Sequence, residues 1–298
     1  MMAEFYYGGQ AVIEGVMMRG QKHVATVVRR PDGELTENTQ PLPSLYTGRL
    51  RSVPLLRGII VLIETLVLGV KTLIYSANVS LEEEGEKVEG WFIWVILAFS
   101  LVAAVAIFFV APLFITDRIK VESNVLFHVI EGVIRLAIFI AYLKLISLLP
   151  DIKRVFAYHG AEHKTVNAYE GGVPLEVEAV KEYSKAHVRC GSSFMFMVLV
   201  LAIIVFSLVG IAEPTFWMML LSRIVLVPVI AALGYEVIYF GGRHSGNRLV
   251  RAVLAPGLWL QSMTTREPDD DQIEVAIAAL NRVIEAEQAE ETPAEAAT

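Results

Sequence analysis

The sequence predicts an all-α polytopic membrane protein: about four spans, further re-entrant or interfacial helices, and a small β-containing amino-terminal region. Three observations carry that reading. Of 298 residues 55% are hydrophobic and only 19% charged, with mean hydropathy +0.54, whereas a soluble domain carries about 25% charged residues. The apolar residues gather in long runs of bilayer length rather than in short periodic segments. The net charge of −7 is local, because Glu267 to Thr298 holds ten acids against Arg282 alone; that stretch is −9 and the remainder of the chain +2.

Residues 1–52 read as a cytoplasmic glycine-rich region with β structure. Met1 to Gly9 is short, polar and aromatic, so no cleaved targeting segment is expected. Val24 to Arg30 alternates and is β-branched, Pro31-Asp32-Gly33 signals a turn, and Glu34 to Thr39 returns as a partner strand. Residues 53–149 follow as an interfacial helix and two spans. Leu55 to Ala77 is apolar but carries Arg57, Glu64 and Lys71, and their steps of seven place them on one helical face. Trp91 to Ile115 has no charge, and Val125 to Leu149 contains Glu131 and Arg135, which lie one turn apart and can pair, together with Lys144.

Residues 150–193 form a polar insertion: a helix reaching Glu170, a Gly171-Gly172 stop, and a second helix opened by Pro174. Residues 194–265 hold two more spans, Phe194 to Ala212 and Thr215 to Phe240, joined by a tight Glu213-Pro214 link. Leu249 to Met263 then reads as re-entrant or interfacial, being too short to span and interrupted by Pro256-Gly257. In residues 266–298, Asp269 to Asp271 cap an amphipathic helix with Ile273, Ile277, Leu280 and Ile284 on one stripe. The last ten residues, rich in Ala and Glu, read as disordered.

Topology follows from the Lys and Arg count in the loops. If Leu55 to Ala77 does not cross, residues 1–53, 78–90, 150–193 and 241–298 share one side with 18 basic residues, against Arg118 and Lys120 opposite. If it crosses, the split becomes 8 against 12 and the bias vanishes. Three ionisable groups within one span are also costly. Both termini and the 150–193 insertion are therefore expected to be cytoplasmic.

The sharpest chemical signal is His159-Gly160-Ala161-Glu162-His163. On a helix, two imidazoles and a carboxylate converge on one side, in the H-x-x-E-H order of inverted zinc peptidases. In such sites the two His hold metal and the Glu is the catalytic base. The competing reading is a polar surface helix whose His and Glu bond to loops. A zinc site needs a third protein ligand. His187 and Cys190, expected at the end of the helix folding back beside His163, are both candidates and should form one cluster with His159 and His163; a helix-end cap and a small buried residue are their bland alternatives. Glu236 is another candidate ligand, set against an intramembrane ion pair with Arg135, Arg223 or Lys71. The run Gly8 to Gly20 reads first as a packed strand and turn, and otherwise brings Glu14 and Arg19 to the site of His159. Arg189 and Arg243 complete the candidate additional site. The basic loop Gly241 to Arg248 with Arg251 suits anionic head groups, or else a phosphate or carboxylate on a substrate. The lone cysteine, Cys190, excludes an intrachain disulfide.

Four motifs carry a resemblance: GGQAVIEGVMMRG near the amino terminus, YHGAEHK at Tyr158 to Lys164, HVRCGSSF at His187 to Phe194, and Arg243 to Pro268 with its APG and TTREP runs. Together they resemble the YqhQ-like family of bacterial membrane proteins, described as predicted metal-dependent enzymes, over about residues 5 to 270. The resemblance implies a bacterial plasma membrane location. The expected function is a metal-dependent hydrolase at the cytoplasmic membrane surface, with zinc or another divalent metal as cofactor. The rival is a membrane-biogenesis scaffold that docks other membrane proteins through the Ile273 to Ile284 stripe. Membrane lipids are expected partners in either case, and nucleic acid is not.

Overall fold

The computed structural model describes residues 7–81, 90–210, 216–244 and 246–295. Strands β1 (Gly8–Val12), β2 (Gly15–Arg19), β3 (His23–Arg29) and β4 (Leu35–Pro41) form an antiparallel sheet in the order β1-β2-β3-β4. The glycine-rich run is thus a hairpin with Ile13-Glu14 at its tip, since Val12 pairs with Gly15. Asp32 closes the β3–β4 turn by accepting from the Glu34 amide at 3.0 Å, with Gly33 at φ 88°; this is the Asx geometry that the Pro-Asp-Gly triplet favours.

Alternation along the strands sorts their side chains onto two faces. Val16, Met18, Ala25 and Val27 pack with the helices that carry Tyr158 and Leu280, while Met17, Val24 and Val28 face the opposite layer with Ile60 and Val79. Short helical turns α1 (Ser44–Thr47) and Arg49–Ser52 lead into α2 (Leu56–Ser80), which supplies that opposite layer.

α3 (Gly90–Val105) continues through a π turn, Ala106–Val110, into α4 (Ala111–Ile119). α5 (Asn124–Ile146) packs against α4 and α8 (Gly191–Gly210), and α8 packs in turn against α9 (Phe216–Arg243) and α10 (Arg248–Thr264). α6 (Pro150–Glu170), α7 (Val177–Lys181) and α11 (Asp270–Glu295) belong with the sheet. Four helices are long and apolar enough to cross a membrane: Leu56–Ser80, Ile93–Ile119, Gly191–Leu208 and Val225–Arg243. Asn124–Ile146 passes the same test together with α6, from which it is bent by 100°. The molecule is therefore a helical membrane protein with a small amino-terminal sheet.

Several local expectations change. The helix after Pro174 spans only Val177–Lys181, so His187 and Cys190 sit in an irregular segment rather than at a helix end. α10 runs unbroken through Pro256, because Gly257 lets the helix close directly onto Ser193 of α8 and that contact outweighs one lost backbone bond. The Ile273 to Leu280 stripe is not an open docking face, since Ile273, Ile277 and Leu280 are buried against the sheet and α6. Asp269 and Gln272 do begin that helix, each side chain accepting from the other's amide at 2.9 and 3.1 Å, a capping box. The helix extends to Glu295, and residues 296–298 lie outside the described residues. The Glu213-Pro214 link lies outside the described residues.

Among the described residues, two ion pairs stand out in the helical bundle. Glu131 pairs with Arg135 and lies 3.3 Å from His128 Nδ1, all three side chains being buried. Arg135 also donates through Nε to the Phe108 carbonyl at 2.9 Å, within the π turn, whose widened geometry frees a carbonyl from the helical ladder. Glu236 is bound by both arms of Arg57, rather than by Arg135, Arg223 or Lys71. Arg135 is already engaged by Glu131, and the start of α2 packs directly on α9 through Gly58 and Ala232.

A candidate metal centre

α5 ends at Ile146, and Pro150, whose missing N–H costs nothing in a first turn, opens α6 at a steep angle. His159 therefore stands about 15 Å along α6 from the bend. One turn separates His159 and His163, whose ring centroids lie 4.4 Å apart. Two non-helical segments then fix these rings.

The first is the strap Thr264 to Pro268. Arg266 donates its amide to the Phe156 carbonyl at 2.8 Å and a guanidinium arm to the Ser147 carbonyl at 2.8 Å. Glu267 pairs with Lys164 at 2.6 Å and Lys185 at 3.4 Å. Crossing so closely requires Gly160, because a Cβ there would run into the Arg266 carbonyl oxygen. In return the Thr264 carbonyl accepts from His159 Nδ1 at 2.8 Å. The second segment is Tyr183 to Cys190. Asn167 binds the Ser184 and Ala186 carbonyls, and the buried Gln261 amide bonds to both the N–H and the carbonyl of His187 at 2.9 Å. The Lys185 carbonyl is thereby placed to accept from His163 Nδ1 at 2.7 Å.

Both histidines thus commit Nδ1–H to a backbone carbonyl, which leaves the Nε2 lone pairs to point elsewhere. Cys190 meets them at the start of α8. Its Sγ lies 3.3 Å from His159 Nε2 and accepts from the Ser192 amide at 3.4 Å. Donor atoms of His159, His163 and Cys190 all lie within 4.8 Å of one another. Two ligands on a tetrahedral zinc stand about 3.3–3.6 Å apart, so the three groups fit around one ion with little movement. Glu162 is outside this set but beside it, with Oε2 3.4 Å from His163 Nε2. Its Cγ would be 2.9 Å from a Cβ at Gly9, so glycine in β1 makes room for the carboxylate.

The electrostatics fit a ligand set. Burial would raise the Cys190 thiol, but hydrogen bonds and charge from His159 and His163 outweigh it and hold the group well below its usual range. Burial would lower both imidazoles. Cys190 reverses this for His159, and the Glu162 charge with Cys190 lifts His163 to about 9. The shifts are reciprocal: the imidazoles draw the thiol down, and the sulfur with Glu162 draws the imidazoles up.

Other candidate residues lie elsewhere. His187 stands next to His163, ring centroids 5.5 Å apart, but its Nε2 is directed toward Glu170, 3.8 Å away, and it is outside the three-residue group. Glu170 is the partner of Arg189. Glu14 pairs with Arg154 and lies 3.3 Å from the Tyr158 hydroxyl, Arg19 pairs with Glu64 at 2.8 Å, Glu236 pairs with Arg57, and the Arg243 guanidinium lies 4.7 Å over the Tyr239 ring. Sequence reasoning missed Thr264, Lys185, Gln261 and Glu170. Thr264 and Lys185 act through backbone carbonyls, which leave no periodic trace, and Gln261 and Glu170 act through side chains on partners distant in sequence.

Gly160→Ala tests the strap. Helix propensity alone would stabilise the variant by up to about 1 kcal/mol, whereas overlap with a backbone oxygen should cost about 1–3 kcal/mol. We expect a lower unfolding midpoint in detergent and weaker metal retention as Thr264 withdraws from His159. A raised midpoint would show that the strap does not need the glycine.

A search of solved structures finds no match. An uncharacterized protein of Bacillus subtilis (strain 168), YqhQ, is 35% identical over 299 residues, covering 94% of this chain and 93% of its own. The family described as "Protein of unknown function (DUF1385)" matches residues 53–286, which takes in the cluster and all but the end of α11. On both counts, this chain is a member of the DUF1385 family.

Proposed function

We propose that His159, His163 and Cys190 hold a divalent metal, with zinc the best fit, and that the protein is a metal-dependent hydrolase working at a membrane surface. The observation carrying this reading is the paired anchoring of both Nδ1 atoms on carbonyls while the two imidazoles and the Cys190 sulfur converge. Mixed nitrogen and sulfur ligands favour zinc over the oxygen-seeking magnesium and calcium. Three protein ligands rather than four is the pattern of catalytic zinc, in which one position stays open.

A metal held here would supply a Lewis acid to polarise a substrate carbonyl or phosphoryl oxygen. The chain's own residues do the remainder. Glu162, next to the ligands but outside their set, takes the proton from the attacking water and returns it to the leaving group. Its burial against Gly9 keeps it from swinging away. His159 is the most exposed of the cluster, so the reactive face opens on its side. Cys190 immediately precedes α8, which keeps the centre in the plane where α5 ends and α8 begins.

The test is metal content of the purified full-length protein. Wild type should hold about one zinc per chain, while His163→Ala and Cys190→Ala should each retain less than about a tenth. Glu162→Gln should keep its metal and lose hydrolytic turnover. Full metal content in the Cys190→Ala protein would remove the proposed ligand set. Loss of metal in Glu162→Gln would make that residue a ligand and the site a closed, structural one.

A further inference from the structure

α2 is long and apolar enough to cross a membrane, yet it spends its length on the sheet. Ile60 packs with Met17, Val24, Leu42 and Tyr46, and Gly69 lies against Gln10. Ser76 Oγ accepts from the Ile13 amide at 3.2 Å, and Val79 meets Val12 and Val28. Ile60 to Val79 is about 28 Å of helix, so protein covers one flank of the helix from near its start to its end.

Between apolar Ile60 and Val79, the covered flank is small or polar: Glu64, Gly69, Thr72 and Ser76 are buried, as is Gly58 before them. Glu64 is neutralised there by Arg19 and Arg51. The other flank carries Leu56, Ile63, Leu66, Val67 and Leu73, with Leu66 60% exposed. This is inside out for a helix of a water-soluble domain, which hides its apolar stripe. The sheet beneath cannot share a hydrocarbon environment, because edge strand β4 exposes Glu37 and Gln40 and an open sheet edge is excluded from lipid. At its start, α2 is tied to α9 by the Arg57–Glu236 pair and by the Leu55 amide on Glu236 at 3.0 Å.

We propose that α2 is a monotopic attachment helix. It does not cross; its ridge from Leu56 to Leu73 lies among the acyl chains of one leaflet and clamps the sheet, α6 and α11 onto the membrane. Acyl chains are the occupant because the ridge begins on α9, itself long and apolar enough to span, and runs from there as one aliphatic surface. Exposed Lys71 on its border can snorkel to phosphates. The inference is independent of what the His–Cys cluster holds.

The experiment uses the full chain in sealed vesicles of phosphatidylethanolamine and phosphatidylglycerol. Ser52→Cys and Leu81→Cys flank α2, and wild type, whose single cysteine is buried, is the blank. A membrane-impermeant maleimide should label both variants from the same face of the vesicle; labelling from opposite faces overturns the proposal. A nitroxide on Leu66→Cys should be accessible to oxygen and shielded from a water-soluble nickel chelate, at a depth of about 5–10 Å below the phosphates. Access by nickel means the ridge faces water, and shielding from both relaxants means a second protein copy covers it. Either result overturns the assignment to lipid.

Discussion

After the metal is stripped, apparent zinc affinity should climb about tenfold per pH unit as the His163 imidazolium is displaced, up to about pH 9. Metal and proton compete for the same Nε2 lone pair. An imidazole at its ordinary value of 6.5 is neutral above that pH and gains nothing further. His163 is held up to about 9 by Glu162 and Cys190, so its proton must still be driven off across the intervening range. Cys190 is held well below its usual range by His159 and His163, so its proton is the smaller contributor to the slope. The interval corresponds to roughly 300-fold in affinity for one proton. Competition against a chelator of known protonation behaviour, from about pH 6 to pH 10, measures the slope. In Cys190→Ser the sulfur is gone, so the rise should flatten nearer the ordinary imidazole value. A wild-type curve that is flat above about pH 7 would mean that the histidines are not paired as drawn.

The second large effect is expected far from that cluster, within the helical bundle. Glu131→Gln and Arg135→Met should each destabilise the protein by about 3–5 kcal/mol, because each takes away the opposite charge closest to a buried ion. Both side chains are almost fully buried, and Arg135 also satisfies the Phe108 carbonyl freed by the π turn. The double variant Glu131→Gln/Arg135→Met removes both charges and should recover most of the loss, since buried ion pairs contribute little net stability against neutral residues of similar volume. Unfolding of the four proteins in the same detergent gives the coupling directly. If the two single losses simply add in the double variant, the pair is not a coupled unit, and His128 or the carbonyl carries the stabilisation instead.

Composition and run length alone determined that this chain belongs to a membrane, because hydrocarbon admits only helices with few charges and demands them at bilayer length. Local periodicity determined more. His159, Glu162 and His163 share a face because 3.6 residues make a turn, Glu131 and Arg135 pair for the same reason, and Pro31-Asp32-Gly33 closes its hairpin through its own backbone preferences. Only the tertiary structure decided that Cys190, and not His187, brings a donor atom within 4.8 Å of those of His159 and His163. Both follow His163 through an irregular segment, and a segment without period carries no information on which side chain returns to the site. It likewise decided that Glu236 faces Arg57, that the α11 stripe is spent on the sheet, and that α10 passes through its proline, since each depends on partners brought together across the chain. The orientation of α2 is the clearest case. Its sequence shows two unlike flanks, but which flank meets protein and which is left open was decided by the sheet that folds over it.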